Sequence, residues 1–135
     1  KASQMGYDVL FFAGQNEIKN QEEISKYLKE KKIRFFHNNP NNSDREFCAL
    51  VNLCKVMVCS DSFSLHVSLA LKKKTIGLFF CTSPNEIEGY GLLKKIVAPK
   101  LKYFFPERMD QYDQELVNSI SADEVLDAVN YLFKT

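Results

Sequence analysis

The sequence predicts an α/β fold, a doubly wound parallel sheet with helices on both faces. Two observations carry this. Short apolar runs alternate along the chain with stretches of about ten residues at helical spacing, the pattern of βαβ units. One run, Val56–Cys59, is apolar at every position, as a central parallel strand covered on both faces must be.

The elements follow in order. Asp8–Phe12 (DVLFF) reads as a buried strand that ends in a turn at Ala13-Gly14. Gln21–Lys31 places Ile24, Tyr27 and Leu28 at helical spacing, the expected inward stripe of a first helix. Ile33–His37 is the next strand, and the asparagine-rich Asn38–Asn42 (NNPNN) is a loop. Ser43 with Glu46 three residues later forms a capping box, opening a helix whose stripe is Phe47, Leu50, Val51 and Cys54. After Val56–Cys59, a short, almost wholly apolar helix runs from Ser62 to Leu71, followed by a strand at Thr75–Phe80 and a loop at Cys81–Gly91. Lys95–Val97 and Lys102–Phe105 are weaker strand candidates. Ser121 with Glu124 makes a second capping box before a last helix with stripe Val125, Val129 and Leu132.

A length of 135 residues suits one domain, 1–135, and 45% hydrophobic content is enough to bury a core. A formal net charge of +1 argues against a nucleic-acid partner gripped by a basic field. Cys48, Cys54, Cys59 and Cys81 have neither zinc-site pairing nor the density of a secreted disulfide scaffold, and read as small core residues in a reducing compartment. No apolar run approaches the roughly 20 residues that span a bilayer. The chain opens on Lys1 rather than methionine, as expected of a piece of a longer protein. Asp110, Asp113 and Glu115 form an acidic surface stretch with no clustered histidine to make a metal site, and Lys72–Lys74 reads as a solvated turn after a helix.

In an open α/β sheet, ligands bind beyond the carboxyl ends of the strands. The loops beginning at Gly14, Asn38, Ser60 and Cys81 meet that description, while the two standard glycine-rich phosphate fingerprints are absent. Asp61 and Ser62 fall where strand becomes helix. The amides of a first helical turn attract anions, and Ser62 is placed to cap them or to donate to a phosphate. Asp61 has the wrong sign for phosphate and is suited to fixing the turn or accepting from a sugar hydroxyl. His66 lies one turn beyond Ser62 on the same helical face. Each residue also has a plain structural reading, Asp61 as a helix cap and His66 as a satisfied core histidine.

The segment from Pro40 to Gly91 resembles the C-terminal half of the heptosyltransferase-type glycosyltransferases, family nine. The parts that carry the resemblance are SDREFCALVNLCKVMVCSDS, FSLHVSLAL, TIGLFF and CTSPNEIEGYG, and the tail SISADEVLDAVNYLF is similar to the family's final helix. The resemblance implies a GT-B architecture of two Rossmann-like domains, of which this chain is the second, donor-binding one. It implies a nucleotide-diphosphate sugar donor such as ADP-heptose, a glycolipid acceptor held by the N-terminal domain, and no metal or other cofactor. It further implies a role in bacterial lipopolysaccharide or other surface-glycan synthesis, in the cytoplasm at the inner face of the inner membrane. By the same analogy Asp61, Ser62 and His66 lie near the diphosphate and sugar, Gly14, Gln15 and Glu17 approach the ribose, Asn42 lines the base, and Thr82 and Ser83 border the cleft. No catalytic residue is expected in this chain, since the family's proposed base is an aspartate of the N-terminal domain.

Two stretches depart from the family pattern. Phe63 stands where the family has glycine after Asp-Ser, and Phe79, Phe80 and Cys81 stand where it has Phe-Gly-Pro. Glycine lets backbone approach a phosphate closely, and a phenylalanine crowds it. The alternative expectation is therefore a non-catalytic Rossmann-like module whose nucleotide site is occluded by Phe63 and Phe80. A nucleotide-sugar epimerase of the same broad architecture is a third reading, less well matched to the Pro40–Gly91 pattern.

Overall fold

A computed structural model describes residues 1–99 and 113–135. The strand candidate at Lys102–Phe105 and the acidic residue Asp110 lie outside the described residues. The chain divides into two compact units, Lys1–Leu50 and Val51–Thr135.

The first unit holds two strands, β1 (Leu10–Phe11) and β2 (Phe36–His37), paired in parallel with Leu10 opposite Phe36. Between them lie a 3-10 turn (Gln15–Glu17) and helix α1 (Ile18–Glu30). Helix α2 (Asp44–Leu53) follows, and the division between the units falls within it. The Ser43–Glu46 capping box forms as expected: Glu46 Oε2 accepts from the Ser43 amide at 2.8 Å, and the Glu46 amide donates to Ser43 Oγ. Donation to the carboxylate from the Ser43 amide, and then from the Ser43 hydroxyl at 2.8 Å, holds the Glu46 carboxyl below its usual range.

The inward edge of α1 differs from the expected stripe. Ile24 is 40% and Tyr27 57% exposed, whereas Gln21 is buried at 6%. Gln21 and Leu28 are seven residues apart, two turns along one face, and burial of Gln21 turns Ile24 and Tyr27 toward solvent. A hydrogen-bonded polar side chain has overridden the apolar pattern, because its amide has a buried partner in Asn38.

The second unit is a three-stranded, wholly parallel sheet in the order β3 (Val56–Ser60), β4 (Lys74–Phe79), β5 (Leu93–Val97). Residues alternate across it with period two. Phe79 joins Leu65 and Leu69 of helix α3 (Phe63–Ala70) on one face. Ile76 joins Ile96 and Ala128 on the other, under helix α5 (Ala122–Lys134). This unit therefore has helices on both faces, but its central strand is β4: β3, expected to be central from its wholly apolar run, pairs with one neighbour among the described residues at the edge of the sheet, and Val58 is 41% exposed. Gly77 lies on the α3 face, where an added Cβ would come 3.0 Å from Leu65 Cδ1 and 2.9 Å from Phe79 Cε2. The short helix α4 (Gln114–Asn118) was not anticipated. Asp113, expected as part of an acidic surface stretch, is its N-cap, accepting from the Leu116 amide at 2.9 Å.

The expectation of one sheet is thus met as two parallel sheets, one in each unit. The β1–β2 ladder is only two residues long on each strand, so little backbone pairing defines the first.

Lysines fasten the amino edge of the larger sheet. Lys55 Nζ donates to the Phe133 carbonyl (3.0 Å) and Lys74 Nζ to the Leu132 carbonyl (3.2 Å), both in the last turn of α5. Lys73 Nζ donates to the Asn52 carbonyl at the end of α2. Orphan carbonyls and the negative end of the helix dipole both favour a cation there. The expected solvated turn at Lys72–Lys74 is corrected accordingly for Lys73 and Lys74. Lys72 remains exposed but has φ 56, the left-handed conformation that closes α3.

Candidate functional site

Strands β3 and β4 run parallel in register from Val56–Lys74 to Ser60–Leu78, so their carboxyl ends emerge side by side. The turn Ser60–Ser62 leaves one and the segment Phe80–Ser83 leaves the other. Asp61, Ser62, Thr82 and Ser83 thus belong to adjacent segments at one edge of one sheet.

Ser62 occupies the N-cap position of α3, with extended backbone (φ −160, ψ 176). Its side chain does not cap. The hydroxyl instead donates back to the Ser60 carbonyl at 3.1 Å. A hydroxyl has one hydrogen to donate, so Ser62 as it stands presents lone pairs rather than a donor to an anion. Turning it toward a phosphate requires release of Ser60. The amides of the first turn of α3 still point out of the helix end at this edge.

Asp61 is half-buried beside Cys59. Burial of the Cys59 thiol, followed by the nearby Asp61 carboxylate, pushes the thiol up to about 11. Cys59 packs against the Leu65–Leu69–Phe79 cluster, so it is an inert thiol of the core rather than a nucleophile. All four cysteines are unbridged and half-buried. His66 is exposed, three residues on from exposed Phe63 and on the same solvent-facing side of α3. It is therefore not a core histidine.

Ser83 caps the 3-10 turn Pro84–Glu86, its Oγ accepting from the Asn85 amide at 3.4 Å, which leaves its own hydrogen to donate. Thr82 is half-buried. Downstream, Lys95 Nζ of β5 donates to the carbonyls of Pro84 and Ile87, both at 2.6 Å. The Glu88 carboxylate accepts from the Tyr90 amide at 3.0 Å, and this contact with the one to Gly89 holds its carboxyl below the usual range. Phe63 was expected to crowd the Asp61–Ser62 turn, but more than half of it, 57%, meets solvent, so it is not packed down as a seal. Phe80 is half-buried.

In the first unit, Gly14 has extended backbone (φ −91, ψ 178) and donates its amide to Glu17 Oε2 at 2.8 Å. Glu17 is thereby engaged with its own turn, while Gln15 is exposed. Asn42 Oδ1 accepts from Asn38 Nδ2 at 2.6 Å, and Asn42 Nδ2 donates to the Ser43 carbonyl. Sequence reasoning missed Asn38 and Gln21. Asn38 is buried at 4% and makes side-chain bonds to Ala13, Gln21, Asn39 and Asn42. Its only signal was position, as the first residue after a predicted strand. Among the described residues no group of three or more His, Cys, Asp or Glu side chains converges to hold a metal, and no helix is long and apolar enough to cross a membrane.

Hydroxyl-bearing turns thus stand at the carboxyl edge of a parallel α/β sheet. Residues 1–111 match the family model of glycosyltransferase family 9 (heptosyltransferase), and the chain belongs to that family. The matched span includes every candidate site residue, from Gly14 to Ser83, and stops short of the final helix that sequence reasoning also assigned to the family. No curated protein and no solved structure matches the chain. A glycosyltransferase takes a nucleotide-sugar donor and an acceptor, and membership assigns this chain to that class of activity.

Proposed function

We propose that the chain is the donor-binding, C-terminal domain of a GT-B transferase. Its donor is a nucleotide-diphosphate sugar, ADP-heptose among the candidates, and its acceptor a glycolipid in bacterial lipopolysaccharide or other surface-glycan synthesis. The observation that supports this reading is the parallel register of β3 and β4, which brings out the Asp61–Ser62 and Thr82–Ser83 segments at one edge, within the span that matches the family. The reading places the work at the cytoplasmic face of the inner membrane and invokes no metal.

In this proposal the first-turn amides of α3 and the hydroxyls of Ser62, Thr82 and Ser83 approach the diphosphate. Asp61 accepts from a sugar hydroxyl, and His66 lies near the diphosphate and sugar. For the first unit taken by itself, Gly14, Gln15 and Glu17 are assigned to the ribose and Asn42 to the base. Transfer is a direct displacement. The acceptor oxygen bonds to the anomeric carbon as the bond from that carbon to the diphosphate breaks, and a base of the N-terminal domain takes the acceptor's proton. The donor half stabilises charge as it develops on the leaving diphosphate.

Calorimetric titration of the chain with ADP, GDP, UDP and CDP tests the reading. Saturable binding of at least one, weakened by Asp61→Ala and by Ser62→Ala, is expected. Absence of binding by all four overturns it in favour of a non-catalytic module, a role that the exposure of Phe63 does not favour. The pure chain is expected to transfer no sugar, and measurable turnover contradicts the assignment of the base to another domain.

A further inference from the structure

We infer that Asn38 is a positioning residue for donor recognition, a single buried amide that sets the Ala13–Glu17 turn and Asn42 together. The inference rests on the proposed function, which gives Gly14, Gln15 and Glu17 to the ribose and Asn42 to the base.

Asn38 is the first residue after β2 and is 4% exposed. Its Oδ1 accepts from the Ala13 amide at 2.9 Å and its Nδ2 donates to the Ala13 carbonyl at 3.0 Å. Two bonds to one residue fix the orientation of the backbone immediately before Gly14. The same Nδ2 lies 2.6 Å from Asn42 Oδ1 and 3.1 Å from the Asn39 carbonyl. A primary amide nitrogen carries two hydrogens, so these acceptors share them, and Asn38 cannot move without disturbing its hold on both Ala13 and Asn42. Gln21 Nε2 of α1 steadies the group from a third side, 3.2 Å from both the Asn38 carbonyl and Oδ1. From Ala13 the linkage runs on through the Gly14 amide, which Glu17 accepts at 2.8 Å.

Backbone pairing does not duplicate this role. The β1–β2 ladder joins two residues on each strand, and beyond it the Asn38 amide donates to the Phe11 carbonyl at 3.3 Å. The position of the turn after β1 relative to the loop after β2 is therefore held by the Asn38 side chain. Buried polar networks specify one geometry when every member is satisfied, and no buried side-chain polar atom among the described residues lacks a partner.

The test uses Asn38→Ser, Asn42→Ala and the double variant, each titrated with ADP, GDP, UDP and CDP below the onset of its thermal unfolding. Asn38→Ser is expected to raise the Kd of the nucleotide that the unaltered chain binds by about tenfold, the scale of a small misplacement of binding groups. Asn42→Ala is expected to cost less in the Asn38→Ser background than alone, because the two act as one unit. An unchanged Kd in folded Asn38→Ser, or fully additive effects, overturns the inference and leaves the proposed function standing. Should Asn38→Ser fail to fold, Gln21→Met decides. It removes only the donor that steadies Asn38 from outside both loops, so a raised Kd supports the inference and an unchanged Kd overturns it. Absence of nucleotide binding by the unaltered chain overturns the proposed function, and the inference with it.

Discussion

The Lys95 ammonium stands 2.6 Å from the Ile87 carbonyl oxygen and equally close to that of Pro84. A parallel crossover is usually made by a helix, which satisfies its own backbone. The segment between β4 and β5 has only one 3-10 turn, Pro84–Glu86, and Lys95 supplies donors to the carbonyl of its first residue and to that of Ile87 just after it. Lys95→Met is expected to destabilise the chain by about 1–2 kcal/mol, the scale of hydrogen bonds to a charged group at a partly wet site. Amide exchange over residues 85–90 should quicken more than exchange in α5. Uniform exchange across the chain would show that Lys95 does not hold this segment.

Gly77 lies directly beneath Leu65 of α3. A methyl group there meets Phe79, Leu65 and Leu93 within 3.1 Å, in a cluster whose centre has no exposure. Gly77→Ala should therefore cost about 1–3 kcal/mol, as overpacking does, and Leu65→Ala, costly alone, should cost less in the Gly77→Ala background than by itself. Urea unfolding of the single and double variants measures both effects.

Lys72 pays for the closure of α3 with a left-handed backbone at φ 56, supporting bonds from its own amide to the Leu69 carbonyl and from Lys73 to that of Ser68. Glycine is the usual residue at this position because it lacks the Cβ that resists the conformation. Lys72→Gly is expected to stabilise the chain by up to about 1 kcal/mol after allowance for glycine's greater freedom when unfolded. A shift of the urea midpoint to lower concentration would contradict this.

Cys59 offers a pH readout of the turn that follows it. Its thiol is pushed up to about 11, by burial first and the Asp61 carboxylate second. The reactive thiolate is therefore scarce at neutral pH and appears as pH rises toward that value, so iodoacetamide should label Cys59 slowly. Asp61→Asn removes the like charge, lowers the thiol's pKa and should speed labelling at a fixed alkaline pH. Equal rates would show that Asp61 does not face Cys59.

Where the signals were local, the sequence was readable. Val56–Cys59 was legible as a strand and became β3, but its place at the edge of the sheet was not, since its apolar run matches that of a central strand. Ser43 and Glu46 stand at capping-box spacing and bond as that spacing requires. The candidate turn at Asp61–Ser62 was legible as a strand-to-helix joint, but the direction of the Ser62 hydroxyl was not, because the cap competes with a carbonyl two residues back. Asn38 was hidden among the asparagines of a loop, since its importance comes from a backbone partner 25 residues away. The outward turn of Ile24 and Tyr27 was hidden for the same reason, as it follows from the bond between Gln21 and Asn38.

The three lysines that bind the carbonyl ends of α2 and α5 all lie at the entry side of the larger sheet, opposite the Asp61 and Thr82 segments. One margin of the sheet is thereby clamped to helix ends, while the other bears the Asp61 and Thr82 turns. Neutralising Lys55 or Lys74 by acylation would loosen the last turn of α5, whose apolar seat through Ala128 remains, before it disturbed the turns at the opposite margin.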